Sequence, residues 1–154
     1  MAARIKAVEG EIRAWHRASP ASRRLAGIPG IGPITASALT ATVGDARQFR
    51  SGRELAAWLG LVPRQASTGG KPRLGAISKQ GDRYLRRLLV IGATAVLRHP
   101  KLRERAGGIW LRALLARRPA RVATVALANK NARIAWALLA REEHYRPRPL
   151  GAAA

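Results

Sequence analysis

The sequence predicts an all-α fold, a compact helical domain interrupted by one long glycine- and proline-rich loop. Three observations predict it. Apolar residues recur at steps of three and four along most of the chain, the period of a helix face. Proline and glycine stand at the boundaries of those periodic segments, where helices start and stop. A chain of 154 residues with 47% hydrophobic side chains is large enough for one core of ordinary size.

Over residues 3–17, Ile5, Val8, Ile12 and Trp15 step by three, four and three, a heptad seam on one helix face. So short a seam is marginal alone; the helix either packs on the domain or ends a longer coiled coil. Ser19-Pro20 then offers an N-cap with proline at the first helical position, predicting a short helix over 21–26. The run LAGIPGIGPITA that follows from Leu25 reads as a helix-hairpin-helix spanning about 20–43, two helices joined by a Pro-Gly-hydrophobic-Gly turn. Gly30 and Gly32 would let a phosphate approach the backbone closely. The amides opening the second helix, at the Thr35 end of the pattern, would supply donors and a positive dipole end. Such a motif grips nucleic-acid backbone rather than reading bases. The competing reading is an ordinary helical hairpin, and both readings bury Ile28 and Ile31.

The second helix runs over 33–43 and Gly44 is placed to end it. Ser51 or Gly52 leads into a short helix over 54–59, with Leu55, Trp58 and Leu59 on its apolar face and Gly60 after it. Phe49 and Trp58 read as core rather than as base-stacking groups. Residues 62–81 form the loop: Pro63, Gly69, Gly70, Pro72, Gly75 and Gly81 exclude a continuous helix. A connection this long in a compact domain is functional or disordered. It places the hydroxyls of Ser67 and Thr68 among Arg64, Lys71, Arg73 and Lys79. Phosphoryl transfer needs a nucleophile plus cations that offset phosphate charge, and both are present. Spacing alone nevertheless favours a flexible loop that grips DNA without reacting.

The helical body covers about 82–142. Asp82 caps a helix reaching about residue 97, with Leu85, Leu88, Leu89, Gly92, Ala93 and Val96 inward. Arg83, Arg86 and Arg87 lie in its first turns, where cations oppose the helix dipole, which suggests a compensating external anion. A helix over 101–117 would bury Leu102, Ile109, Trp110, Ala113 and Leu114, and one over 119–142 would bury Val122, Val125, Ala126, Trp136 and Leu139. Their outer faces would carry Arg103, Arg105, Arg112, Arg117, Arg118, Arg121, Lys130, Arg133 and Arg141, and the tail 147–154 should fray.

A formal charge of +21, from 29 basic and 8 acidic residues, points to nucleic acid as the partner. The chain has no cysteine, which excludes disulfides and thiolate metal sites and fits a reducing cytoplasm. No apolar run approaches the roughly 18–20 residues of a membrane span, and no signal-peptide pattern is present. His16, His99 and His144 show no ligand spacing and the acids are scattered, so no metal site is expected in this chain.

The segments STGGK (67–71), RLGAISKQGDRYLR (73–86) and ALANK (126–130), in that order, closely resemble the C-terminal transposase domain of the insertion-sequence transposases of the IS-one-ten family, in its IS-eleven-eleven-like branch. The resemblance covers about residues 25–146. It implies a DNA recombinase in which an N-terminal RuvC-like domain with acidic, Mg2+-binding ligands and a coiled coil precede this domain. The domain itself contributes a catalytic serine, within a homo-oligomer guided by a noncoding bridge RNA. The serine maps to Ser67, with Thr68 as the alternative alignment. Its implied role is attack on a DNA phosphodiester, leaving a phosphoserine and a free hydroxyl. Lys71, Arg73, Lys79 and Arg83 are then expected on phosphate, with Thr68, Arg86 and Arg87 beside them. Because no RuvC-like domain precedes Met1, residues 1–18 look like the remnant of that coiled coil and residues 19–146 like a separated transposase domain, in the bacterial cytoplasm at the nucleoid. No cofactor is expected in this chain itself. Two other functions stay open: a non-catalytic helix-hairpin-helix DNA-binding module, and an RNA- or ribosome-associated basic protein.

Overall fold

The computed structural model describes residues 1–68 and 71–147, with the backbone alone for residues 65–68 and 71–75. In chain order it forms α1 (Ala2–Ala18), α2 (Pro20–Leu25), α3 (Pro33–Val43), a 3-10 turn (Ala46–Gln48), α4 (Gly52–Trp58), β1 (Pro63–Thr68), β2 (Lys71–Ile77), α5 (Arg83–Arg98), α6 (Pro100–Arg105), α7 (Gly108–Arg117) and α8 (Ala120–Arg141). The predominantly helical architecture is the expected one. The caps are also where the sequence puts them. Ser19, Ser51 and Asp82 accept from the amides of Ser22, Glu54 and Leu85, which satisfies donors that a helix start leaves orphaned.

α5 and α8 pack along each other at the centre, with α4 and α2 laid on α8 and with α3 joined to α1, α2 and α5. Leu85, Leu89, Ala93 and Val96 of α5 face Leu55, Leu59, Leu127 and their neighbours in one core that also takes Ile28 and Ile31. Phe49 and Trp58 lean on each other with ring centroids 5.5 Å apart at 57°; Phe49 is half-buried, whereas Trp58, expected in the core, is 40% exposed at the end of α4.

Two expected inward faces need correction. The helix foreseen over 101–117 breaks at Gly107, which has φ +118, so α7 starts afresh with a new phase. Leu111 and Leu114 therefore point inward, while Ile109 is 58% exposed, and Trp110 and Ala113 are exposed as well. On α8 the buried stripe is Ala123, Thr124, Leu127, Ala128, Asn131, Ala132, Ala135 and Leu138, and Val122 is exposed. Choosing the largest apolar residues misplaced this face, because close helix packing wants small side chains at the contact. Lys130, expected outside, is half-buried. Its Nζ donates to the Ala106 carbonyl at 3.3 Å and sits 4.4 Å from the Trp110 ring centre.

No residue of the α1 seam is fully buried: Ile12 is half-buried and Trp15 is 45% exposed. The helix packs on α2 and α3, with His16 Nδ1 and Ser22 Oγ 2.6 Å apart and Ser22 Oγ 3.4 Å from Ser37 Oγ. Toward the N-terminus Ile5 and Val8 are exposed. After α8, Glu142 turns the chain in a left-handed conformation at φ +55, and the Tyr145 hydroxyl donates to the Arg105 carbonyl at 2.8 Å. Burial raises the Tyr145 pKa, partly opposed by the charge of Arg105. Of the tail expected to fray, residues 148–154 lie outside the described residues. No helix among the described residues is long and apolar enough to cross a membrane.

Candidate functional site

The segment expected as an irregular loop is a two-stranded antiparallel ribbon, and this is the main departure from the sequence reading. Pro63 pairs with Ile77, Gln65 with Leu74, Ala66 with Arg73, Ser67 with Pro72 and Thr68 with Lys71. Between the first two pairs β2 has two residues, Gly75 and Ala76, against Arg64 alone in β1, so the register shifts there, the mark of a bulge. Gly69 and Gly70, the two residues between the strands, lie outside the described residues. The signal was available, since two runs separated by a Gly-Gly pair read as a hairpin.

Ser67 and Thr68 are successive strand positions and so fall on opposite faces of the ribbon. Lys71 and Arg73 stand directly across from Thr68 and Ala66. The backbone thus brings the hydroxyl pair and two of the expected cations together at the far end of the ribbon; the side chains of Ser67, Thr68, Lys71 and Arg73 lie outside the described residues. Pro72 has no N–H, so the Ser67 pair keeps at most one of its two possible ladder bonds.

The base of the ribbon is held closely. The amide of Ser78 donates to the Val62 carbonyl at 2.9 Å and that of Lys79 to the Gly60 carbonyl at 3.1 Å. Arg64 Nη2 reaches the Ser78 carbonyl at 3.2 Å. Gly81, at φ +85, lies so close to the Trp58 carbonyl that no Cβ fits between them. Arg86 Nη1 donates to the carbonyls of Leu59 at 3.2 Å and Gln80 at 3.1 Å, one on each arm. Arg86 is therefore engaged with protein backbone, whereas Lys79, Arg83 and Arg87 are exposed around the base. A cleft of about 610 Å³ opens beside it, lined by Arg53, Val62, Asn129 and Arg133 among others.

The connection between α2 and α3 is also tied to the core. Gly30, at φ +95, abuts α5: a Cβ there would lie 3.0 Å from the Gly92 carbonyl oxygen and from Val96. Thr35 is 8% exposed, so its side chain faces the interior. Gly32 has open space where a Cβ would stand, and it caps α3 with extended backbone. Of the three residues singled out in this segment, Gly32 is the one open to an approaching ligand.

Asn129 and Asn131 of α8 escaped the sequence reading, and Lys130 between them was expected on the outer face. Asn129 Nδ2 donates to the Leu61 carbonyl at 2.9 Å, Lys130 to Ala106 as described, and Asn131 Nδ2 to the Pro29 carbonyl at 3.0 Å. Each reaches a different connection. The usable signal was a run of long polar residues inside an alanine-rich helix, where a buried polar group needs a partner.

The acids are occupied separately: Asp45 with Arg47 at 3.1 Å, Asp82 as the α5 cap, Glu104 with Arg112 at 3.7 Å. The bond to Arg47 lowers the Asp45 pKa. Among the described residues no three of His, Asp or Glu gather where they could hold a metal ion.

The family model described as "Transposase IS116/IS110/IS902 family" matches residues 22–107, more than half of the chain. A "Probable family 20 transposase" of Pseudomonas aeruginosa is 61% identical over 145 residues, which cover 94% of this chain and 43% of the relative. The "Transposase for insertion sequence element IS1111A" of Coxiella burnetii is 50% identical over 138 residues, covering 90% and 38% respectively. A "Pilin gene-inverting protein" of Moraxella bovis is 38% identical over 82 residues. The chain thus spans less than half the length of these curated relatives. With a helical fold, a serine-bearing ribbon and this match over the hairpin, the ribbon and α5, the chain belongs to the IS116/IS110/IS902 family of transposases.

Proposed function

We propose that this chain is a DNA strand-exchange domain that binds DNA through its basic surface and presents Ser67 as a nucleophile. The observation that supports the reading is the ribbon, whose backbone carries Ser67 and Thr68 to its far end, with Lys71 and Arg73 across from Thr68 and Ala66, away from a base rimmed by Lys79, Arg83 and Arg87. The Ser67 hydroxyl oxygen attacks a DNA phosphorus and a serine–phosphate bond forms. The bond from phosphorus to the leaving sugar oxygen breaks, and that oxygen becomes a free hydroxyl by taking up a proton, while the serine proton is lost to solvent or a base. The phosphoserine keeps the phosphodiester linkage energy for rejoining.

Metal-binding carboxylates, the bridge-type guide RNA and assembly into a homo-oligomer are expected from the family resemblance. The metal ligands would come from a RuvC-like domain outside these 154 residues. The deciding experiment supplies DNA, guide RNA and that domain, and asks whether a covalent protein–DNA adduct forms and disappears in Ser67→Ala. An adduct unchanged by that substitution refutes the nucleophile.

DNA binding has its own tests. Arg83→Ala and Arg87→Ala are each expected to reduce the slope of log affinity against log salt by about 1, the loss of one phosphate contact, measured by titration at several salt concentrations. An unchanged slope removes those residues from the interface. The second reading, a binding module without chemistry, draws on the open position of Gly32 at the start of α3. Gly32→Val should cost at most about 1 kcal/mol of stability as a poorer cap. If the hairpin grips phosphate, the same variant weakens DNA binding by about tenfold or more, the equivalent of about 1.4 kcal/mol. Intact affinity would leave the hairpin a purely structural element.

A further inference from the structure

We infer that Asn129 and Arg86 are positioning residues for the serine ribbon, setting the direction in which it leaves the helical body; this rests on the reading of Ser67 as nucleophile. Among the described residues the ribbon has two strands and no third. Such a ribbon is at best marginally stable alone, so its direction is decided where it joins the helices. Among the described residues, the strands pack mainly on each other, and Val62 and Ile77 at the base are the ribbon's links to the core.

Two side chains reach that base from the two central helices. Asn129 of α8 donates to the Leu61 carbonyl, just before β1. Arg86 of α5 bridges the carbonyls of Leu59 and Gln80, one on each side of the ribbon. Three carbonyls flanking both strands are thereby referred to α5 and α8, which pack along each other in the core. Asn131, two residues further along α8, holds the Pro29 carbonyl, so the same helix also fixes the turn before α3.

The lever is long. At about 3.3 Å per residue, Ser67 stands roughly 13 Å from Pro63, so a tilt of about 10° at the base moves it by about 2 Å. A misplacement of about 1 Å is enough to cost roughly 100-fold in rate. An amide that donates to a backbone carbonyl at the base can thus act on chemistry it never touches.

The test uses Asn129→Leu, which keeps the size of the side chain but removes the donor without adding charge, and Asn129→Gln, which retains a donor and has room in the adjoining cleft. Three quantities are read: the rate of adduct formation in the complemented assembly, the DNA affinity, and hydrogen exchange of the amides of residues 63–77. Asn129→Leu is expected to slow adduct formation about 100-fold, leave DNA affinity within about threefold, and speed exchange in the ribbon while α5 and α8 stay protected. Asn129→Gln should recover most of the rate.

Unchanged rate and unchanged ribbon exchange in Asn129→Leu overturn the inference, and so does a loss that Asn129→Gln fails to restore. Should Asn129→Leu not fold, Arg86→Gln is read in the same three ways, with the same outcomes deciding. If Ser67→Ala leaves the adduct intact, it is the nucleophile reading that fails, and ribbon exchange in Asn129→Leu still decides whether the clamp exists.

Discussion

Ser67→Ala is expected to abolish the covalent protein–DNA adduct while leaving DNA affinity within about twofold. Removing a nucleophile that acts as part of a catalytic unit costs on the order of 10⁶ in rate, so denaturing gels with labelled DNA should show no residual band. The neighbouring variant, Thr68→Ala, carries equal weight. Ser67 and Thr68 are consecutive in β1, paired with Pro72 and Lys71. Consecutive strand residues fall on opposite faces, so a phosphate seated against one of them is on the wrong side for the other. Thr68→Ala should therefore keep the adduct. A reversed result, with loss in Thr68→Ala alone, would shift the family alignment by one residue and turn the reactive face of the ribbon around.

A large effect on stability is expected at Gly92, and there the sign is the test. In an open helix interior, Gly→Ala stabilises by about 1 kcal/mol. Gly92 lies mid-way along α5, directly against the Gly30 carbonyl, with no space for a Cβ. The obstacle is backbone rather than a side chain that could swing away, and the Pro29 carbonyl beside it is already held by Asn131. Gly92→Ala should therefore destabilise by about 3 kcal/mol or more, at the upper end of overpacking costs. Against a total of roughly 5–15 kcal/mol for a typical domain, that loss is visible in any denaturant titration. Gly10 is the control, a glycine in the middle of α1 with nothing near its Cβ position. Gly10→Ala should raise stability by up to about 1 kcal/mol wherever unfolding of α1 is coupled to the domain. Equal effects at the two sites would mean that the contact of Gly30 with α5 does not constrain the domain.

The sequence was most legible where a local rule decides the structure. Ser19, Ser51 and Asp82 are caps because short polar side chains satisfy the amides that a helix start leaves free. Gly44 and Gly60 follow helices and take positive φ, as expected of residues that end them. Legibility failed where two local rules competed. The Gly and Pro residues of 62–81 do break a helix, but they also fit a bulged ribbon, and counting them as breakers concealed the Gly-Gly hairpin signal. On α7 and α8 the period was right and the phase was wrong. Phase depends on which neighbour a face meets, and in α8 that face is set by alanines rather than by Val122.

For the site, the sequence by itself determined the inventory: a strongly basic chain, a Ser-Thr pair among cations, and a helical hairpin ahead of them. Composition and spacing are local quantities, and they survive folding. Tertiary structure alone decided which of these residues are available. It turned Arg86 toward the carbonyls of Leu59 and Gln80, buried Thr35, pressed Gly30 against α5, left Gly32 open, and gave Asn129 a partner 68 positions away in Leu61. The physical reason is that a polar group's role follows from what desolvates and pairs it. In a compact domain those partners come from distant parts of the chain.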